Sequence, residues 1–310
     1  MKIQFAKYVS IAIAGIILFY SCSKDDSSDS VTPVTPSSNP LRDAALADYN
    51  SNYLGSIVSS TGWTGNTSTC SAGTVSQATH NAVIKRINYF RRMVGLNDQC
   101  TLDTTLFAQQ QETALIMSAN NALNHNPPNT WLCWTSTAAA GAGSSNLALG
   151  SNSSAAVSAF IQNNGTGNQV VGHRRWILHS RKQEFSYGSS NNAMALYVFN
   201  SDTNTVVPDF IAYPPKGYVP QSLVYSRWSL GIPGAGFGGA TVSMTGPGGT
   251  SVPSTIVSST DNGYGDNTLV WEPTGIITTS TADISYTVTV SGITGADSTS
   301  YTYTVNLFKP

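Results

Sequence analysis

The feature that most restricts the fold is a change of hydrophobic period near residue 205. Before it, apolar residues recur at helical spacing. Val83, Ile87, Phe90 and Val94 are four, three and four apart, with Ser76 ahead of them and Gly95 placed to end the turn. A second helix is predicted from near Asp103 to about Leu123, carrying Leu106, Gln110, Ala114 and Met117 on one stripe. AAAGAGSSNLALGSNSS (138–154) reads as a loop, after which Ser153 or Ser154 caps a short helix through Ile161. GHRRWIL (172–178) reads as another short helix and AMALYVF (193–199) as a buried strand. This order predicts a mixed domain in which helices cover a central sheet.

After the proline-rich junction YPPKGYVP, the period becomes two. TVSMT (241–245), TLVW (268–271), YTVTV (286–290) and YTYTVNL (301–307) all alternate, with Tyr301, Tyr303, Val305 and Leu307 on one face. Short strands separated by Gly and Asn turns over about 100 residues predict an immunoglobulin-like sandwich, here without its disulfide. The fold class is therefore α+β, with a mixed domain at 41–204 and an all-β domain at 205–310.

The N-terminus predicts export. Lys2 and Lys7 precede IAIAGIILFY, an apolar core too short for a confident membrane span. Residues 1–21 read as a signal peptide, and Ser21-Cys22 resembles a lipobox, with Cys22 as the lipidated residue; a plain secretory peptide is the alternative. SKDDSSDS resembles the acidic tag of surface-exposed lipoproteins, and 22–40 reads as a disordered tether. The expected location is the outer face of the outer membrane, held by the lipid anchor.

Charged residues make up only 10% of the chain and the net charge is -1, so there is no basic footprint for nucleic acid, which is excluded as a partner. Cys70, Cys100 and Cys133 remain in a disulfide-permissive compartment, and their odd number leaves one free. Three pairings are open. Cys70 with Cys133 is favoured because these two flank the first two helices. A thiol nucleophile at Cys133, before Trp134, is the rival use of that residue.

Motifs for zinc proteases (HExxH), serine hydrolases (GxSxG) and P-loops are missing. Instead five segments occur in order: RINYFRRMVGL (86–96), LDTTLFAQQQETALIMSANNALNH (102–125), SSNLALG (144–150), GHRRWIL and ALYVF (195–199). Together they resemble the CAP superfamily of cysteine-rich secretory proteins, venom allergens and plant pathogenesis-related proteins, in its bacterial branch. Asn88 with Arg91, Gly95-Leu96, His125, Asn146-Leu147, Gly172-His173-Arg174 and Ile177-Leu178 carry the likeness, over roughly residues 76–200.

The resemblance implies a three-layer α/β/α CAP sandwich in which His125 and His173 face one another across a groove lined by Ser145, Asn146 and Arg174. In that family the two histidines and two acidic residues can hold zinc or another divalent cation, a sensible set because a carboxylate orients imidazole and adds charge. Here Ser145 stands where the family has glutamate, and Glu184 is the single acidic residue between Thr113 and Ser201. The implied function is a groove-type binding module for a small lipid, sterol or glycan ligand, with or without a metal on the two histidines. Its rivals are a metal-assisted hydrolase of peptidoglycan or protein, and a structural or adhesive surface protein, while the structural reading of the pair is that His125 and His173 are buried or half-buried residues satisfied by Ser145, Asn146 and nearby backbone. His80 and His179 are expected on the surface, and Arg174, Arg175, Arg181 and Lys182 form a basic cluster, either a solvated face or an anion site. Trp131, Trp134 and Trp176 are expected to pack, or to line the groove.

Overall fold

In the computed structural model the described residues are 39–199 and 207–310. The signal peptide, Cys22 and all but the last two tether positions lie outside them. Those two are already ordered. Asn39 accepts from the backbone N–H of Arg42 and, with Pro40 in the first turn, starts helix α1 (Pro40–Asp48).

Ser76 caps helix α2 (Gln77–Met93) by accepting from Thr79 N–H, and Gly95 beyond it takes φ +78°, as the spacing predicts. Strand β1 (Thr101–Leu102) leads through a short 3-10 turn into α3 (Phe107–Asn120). The expected loop at 138–154 is not one. Thr135 caps an alanine-rich helix α4 (Ser136–Gly143), and β2 (Ser145–Leu149) follows. Alanine favours helix without marking an apolar stripe, so periodicity passes over α4. Helix α5 (Ser153–Gln162) begins after Asn152 rather than on a serine cap, and Ser154 Oγ instead donates to Ser56 O. Helix α6 (Gly172–Ile177), β3 (Glu184–Ser189) and β4 (Ala193–Tyr197) complete this half.

The sheet order is β1-β3-β4-β2. Alternate residues of its strands face opposite layers. Leu147, Ala193 and Ala195 pack with Ile116, Met117, Ala138 and Ala142 of α3 and α4. Ala148, Met194 and Leu196 pack with Ile87, Phe90, Val157, Phe160 and Ile177 of α2, α5 and α6. The result is the expected α/β/α layering. Small residues set its spacing: a Cβ on Gly141 would stand 2.1 Å from Thr113 Oγ1. The Asn88 and Arg91 pair is architectural. Asn88 brackets the backbone of Cys100, and the buried Arg91 guanidinium donates to the carbonyls of Asn97, Ile177, His179 and Lys182.

Beyond it lie β5 (Ile211–Tyr213), β6 (Gly217–Pro220), β7 (Trp228–Gly231), β8 (Thr241–Thr245), β9 (Ser254–Ser258), β10 (Thr268–Pro273), β11 (Ile284–Ser291) and β12 (Ser300–Phe308). They form two four-stranded sheets, β5-β7-β10-β9 and β6-β12-β11-β8, antiparallel except for β6 with β12. Trp228 and Trp271 of one sheet pack against Tyr286, Val288 and Val305 of the other, with Trp228 edge-on to Tyr286 at 6.2 Å. Tyr303, Val305 and Leu307 point inward, as the alternation predicts. These sheets are compatible with an immunoglobulin-like domain.

The described residues group as one compact unit. Arg42 pairs with Asp283 at 3.0 Å, tying α1 to the sandwich. Of the three cysteine pairings, Cys70 with Cys133 is the one formed, which removes Cys133 as a nucleophile; Cys100 is a buried thiol.

Candidate functional site

His125 lies in the loop after α3, exposed, with Nδ1 2.9 Å from the carbonyl of Ala142 in α4. A carbonyl only accepts, so Nδ1 is the donor of this bond, and Nε2 is the ring nitrogen left to face the solvent or a ligand. His173 is the second residue of α6. Its backbone N–H donates to Asn163 Oδ1, its carbonyl accepts from Asn146 Nδ2, and its ring leans on Phe160 at 5.4 Å. Burial, and secondarily the nearby His125, hold its pKa down at about 4, so it is neutral at pH 7.

Both rings line one cleft of about 280 Å³. Ser145 and Asn146 of β2, Asn168, Trp176, Phe199 and Tyr264 share it. Ser145 stands where the resemblance expects a carboxylate, and its hydroxyl turns away to donate to Gln110 Oε1 at 2.7 Å. The two other acids within reach by sequence are engaged elsewhere. Glu112 accepts from Thr135 Oγ1 at 2.6 Å and Glu184 from Thr101 Oγ1 at 3.3 Å, and neither lines the cleft. Among the described residues there is no group of three or more His, Cys, Asp or Glu. Structural zinc takes four protein ligands and catalytic zinc three. Two imidazoles without an acid among the described residues do not fit either, and those residues supply no carboxylate base to the cleft for metal-assisted hydrolysis.

Arg174 is not a groove residue. It is 1% exposed and donates to the carbonyls of Ile161 and Arg227 and to Ser229 Oγ, with its guanidinium 4.6 Å over the Tyr213 ring. Burial lowers its pKa to about 10, which still leaves it charged at neutral pH. The expected basic cluster is dispersed in the same way. Arg175 donates to Asp266 O, Lys182 is buried over the Phe185 ring, and Arg181 alone is exposed. Helix geometry is the reason, since residues 174 and 175 turn away from the face of 173 and 176.

The other two histidines are half-buried rather than surface residues. His80 stacks on Phe107 at 4.7 Å and bonds Tyr187 Oη through Nδ1, while His179 lies 3.6 Å from Asp266. Trp131 packs on the α3–α4 core and Trp134 donates to Pro127 O, so only Trp176 of the three tryptophans reaches the cleft. Sequence reasoning missed Phe199, taken as part of a buried strand yet 55% exposed, and Tyr264, which arrives from the sandwich. The turn-forming sequence DNGYGDN signals the loop that carries Tyr264 but not where it lands.

The segment that builds the sheet and both histidines, residues 84–204, matches a family model described as CAP, cysteine-rich secretory protein family. No curated protein and no solved structure matches the chain.

Proposed function

With residues 84–204 a CAP domain, we propose that this chain is a binding module whose histidine cleft holds an uncharged, ring-sized ligand, a glycan residue in preference to a lipid. One observation carries the reading: two imidazoles, two asparagines, a serine and three aromatic rings line the cleft, and among the described residues no Lys, Arg, Asp or Glu does. Neutral donors and acceptors suit hydroxyl and acetamido groups, and aromatic rings cover the apolar face of a sugar. Its 280 Å³ is just under the roughly 300–1,000 Å³ of small-molecule sites, which favours a single ring over an acyl chain. Lys2 and Lys7 ahead of the apolar run and Ser21-Cys22 at its end support a lipid anchor on Cys22 that would hold the module at the outer membrane. The described residues contain no helix long and apolar enough to cross a membrane.

The test presents the full chain in detergent with uncharged trisaccharides of N-acetylglucosamine, mannose and glucose, phosphatidylcholine vesicles and zinc chloride, read by calorimetry and saturation-transfer NMR. Saturable binding of one trisaccharide, lost in a His125→Ala, Phe199→Ala double variant, is expected. Binding only to vesicles, or a saccharide held equally by the double variant, overturns the reading. Histidine-dependent zinc uptake without saccharide binding replaces it with a metal site, and hydrolysis of the saccharide replaces it with an enzyme.

A further inference from the structure

Two glycines of distant segments allow the β9–β10 loop of the sandwich to sit on α6. A Cβ at Gly172 would stand 2.7 Å from Cδ1 and 2.9 Å from Cε1 of Tyr264. Gly265, at φ +47°, lies so close to α6 that its own Cβ would be 2.8 Å from the Arg175 carbonyl. A side chain at either position drives the loop off the helix.

The loop is also fastened on both sides of Tyr264. Before it, Asp261 Oδ1 accepts from Gly263 N–H at 2.9 Å. After it, the Asp266 carboxylate accepts from Ser180 N–H at 2.7 Å and Ser180 Oγ at 3.0 Å, while its backbone carbonyl accepts from Arg175 Nη2 at 3.1 Å. Asn267 Nδ2 ties the following residue to Ala235 O at 2.7 Å. The ring so placed is 37% exposed, resting on Gly172 and bordering the cleft. Trp176, one turn further along α6, opens onto the same cleft and leans on Phe199 at 5.2 Å. A residue of the second domain is thus held rigidly beside the aromatic wall of the first.

We propose that Tyr264 is a ligand-contacting, specificity-determining residue of the histidine cleft, so that the sandwich completes a binding site which the CAP segment by itself leaves open. The inference rests on the glycan reading above and names the ring that, with Trp176 and Phe199, receives the apolar face of the sugar. It also gives the sandwich a direct part in recognition beyond that of a spacer.

The experiment takes the trisaccharide that the full-length wild type binds best and measures its affinity in Tyr264→Ala, Tyr264→Phe and Gly172→Ala, each checked by thermal unfolding. Tyr264→Ala weakens binding about tenfold with the melting temperature essentially unchanged, the order expected for a lost stacking contact. Tyr264→Phe, which keeps the ring, stays near wild type, and Gly172→Ala, which pushes the ring aside, falls toward the alanine variant. Equal affinity in wild type and Tyr264→Ala overturns the inference and leaves the cleft reading standing. A phenylalanine variant as weak as alanine overturns the role given to the ring face. A wild type that binds none of the trisaccharides overturns both.

Discussion

Helix α6 divides its side chains between two regions that differ in what they ask of a residue. On one side, His173 and Trp176 open onto a partly solvated cleft that among the described residues holds no Lys, Arg, Asp or Glu. On the other, Arg174 and Arg175 are buried in the junction between the domains and satisfied by backbone carbonyls, Ser229 and aromatic rings rather than by carboxylates. A cation in the sequence therefore marks the weld, and imidazole marks the site. Buried guanidinium tolerates no loss of a partner, whereas a cleft residue is free of most packing duty.

The junction should yield the largest effect. Arg174→Met keeps the volume but leaves the carbonyls of Ile161 and Arg227 without their donor in a buried place. A loss of roughly 3–5 kcal/mol is expected. Urea unfolding monitored by tryptophan fluorescence measures it. A loss under about 1 kcal/mol would mean that the weld carries little of the stability, and the contrast between the two faces of α6 would collapse.

Acid should act on the cleft side next. His173 titrates at about 4 in the folded chain against 6.5 in its ordinary state, because burial and then His125 disfavour the imidazolium. Between those values the unfolded chain holds more protons, so stability is intact above about pH 6.5 and is lost as pH falls toward 4. The full loss is roughly 3 kcal/mol. Desolvation also depresses His80 and His179, which push in the same direction, so the readout is a difference. His173→Gln should lose less stability than wild type between pH 7 and pH 4. Parallel acid profiles for the two proteins would show that the His173 ring is solvated after all.

Much of this architecture was legible from spacing and alternation. The α2 pattern with its Ser76 cap and Gly95 stop, and the inward Tyr303, Val305 and Leu307, needed only helical and strand periods. Helix α4 escaped because Ala and Gly pack by smallness and leave no apolar stripe. The cleft was half legible. His125, His173, Ser145 and Asn146 follow from the family motifs, but Arg174, which the resemblance puts on the groove, faces the junction, because consecutive helix residues point to different faces. Tyr264 could not be read at all. It enters through a tertiary contact across more than eighty residues, permitted by the missing side chain at Gly172.

The smallest effect on stability belongs to His125, and it is the sharpest test of the division. Its ring is exposed, and one hydrogen bond to Ala142 O is what orients it. Substitution by alanine removes a solvated contact and leaves one carbonyl to water, so the unfolding free energy should move by less than about 0.5 kcal/mol. If Nε2 serves a ligand, the same change should weaken trisaccharide binding about tenfold, since a site group left without its partner is what neutral recognition loses. Calorimetry and urea unfolding on one preparation separate the two quantities. A large stability loss with unaltered binding would place His125 with Arg174 as a structural residue, and the cleft would then keep only one functional imidazole.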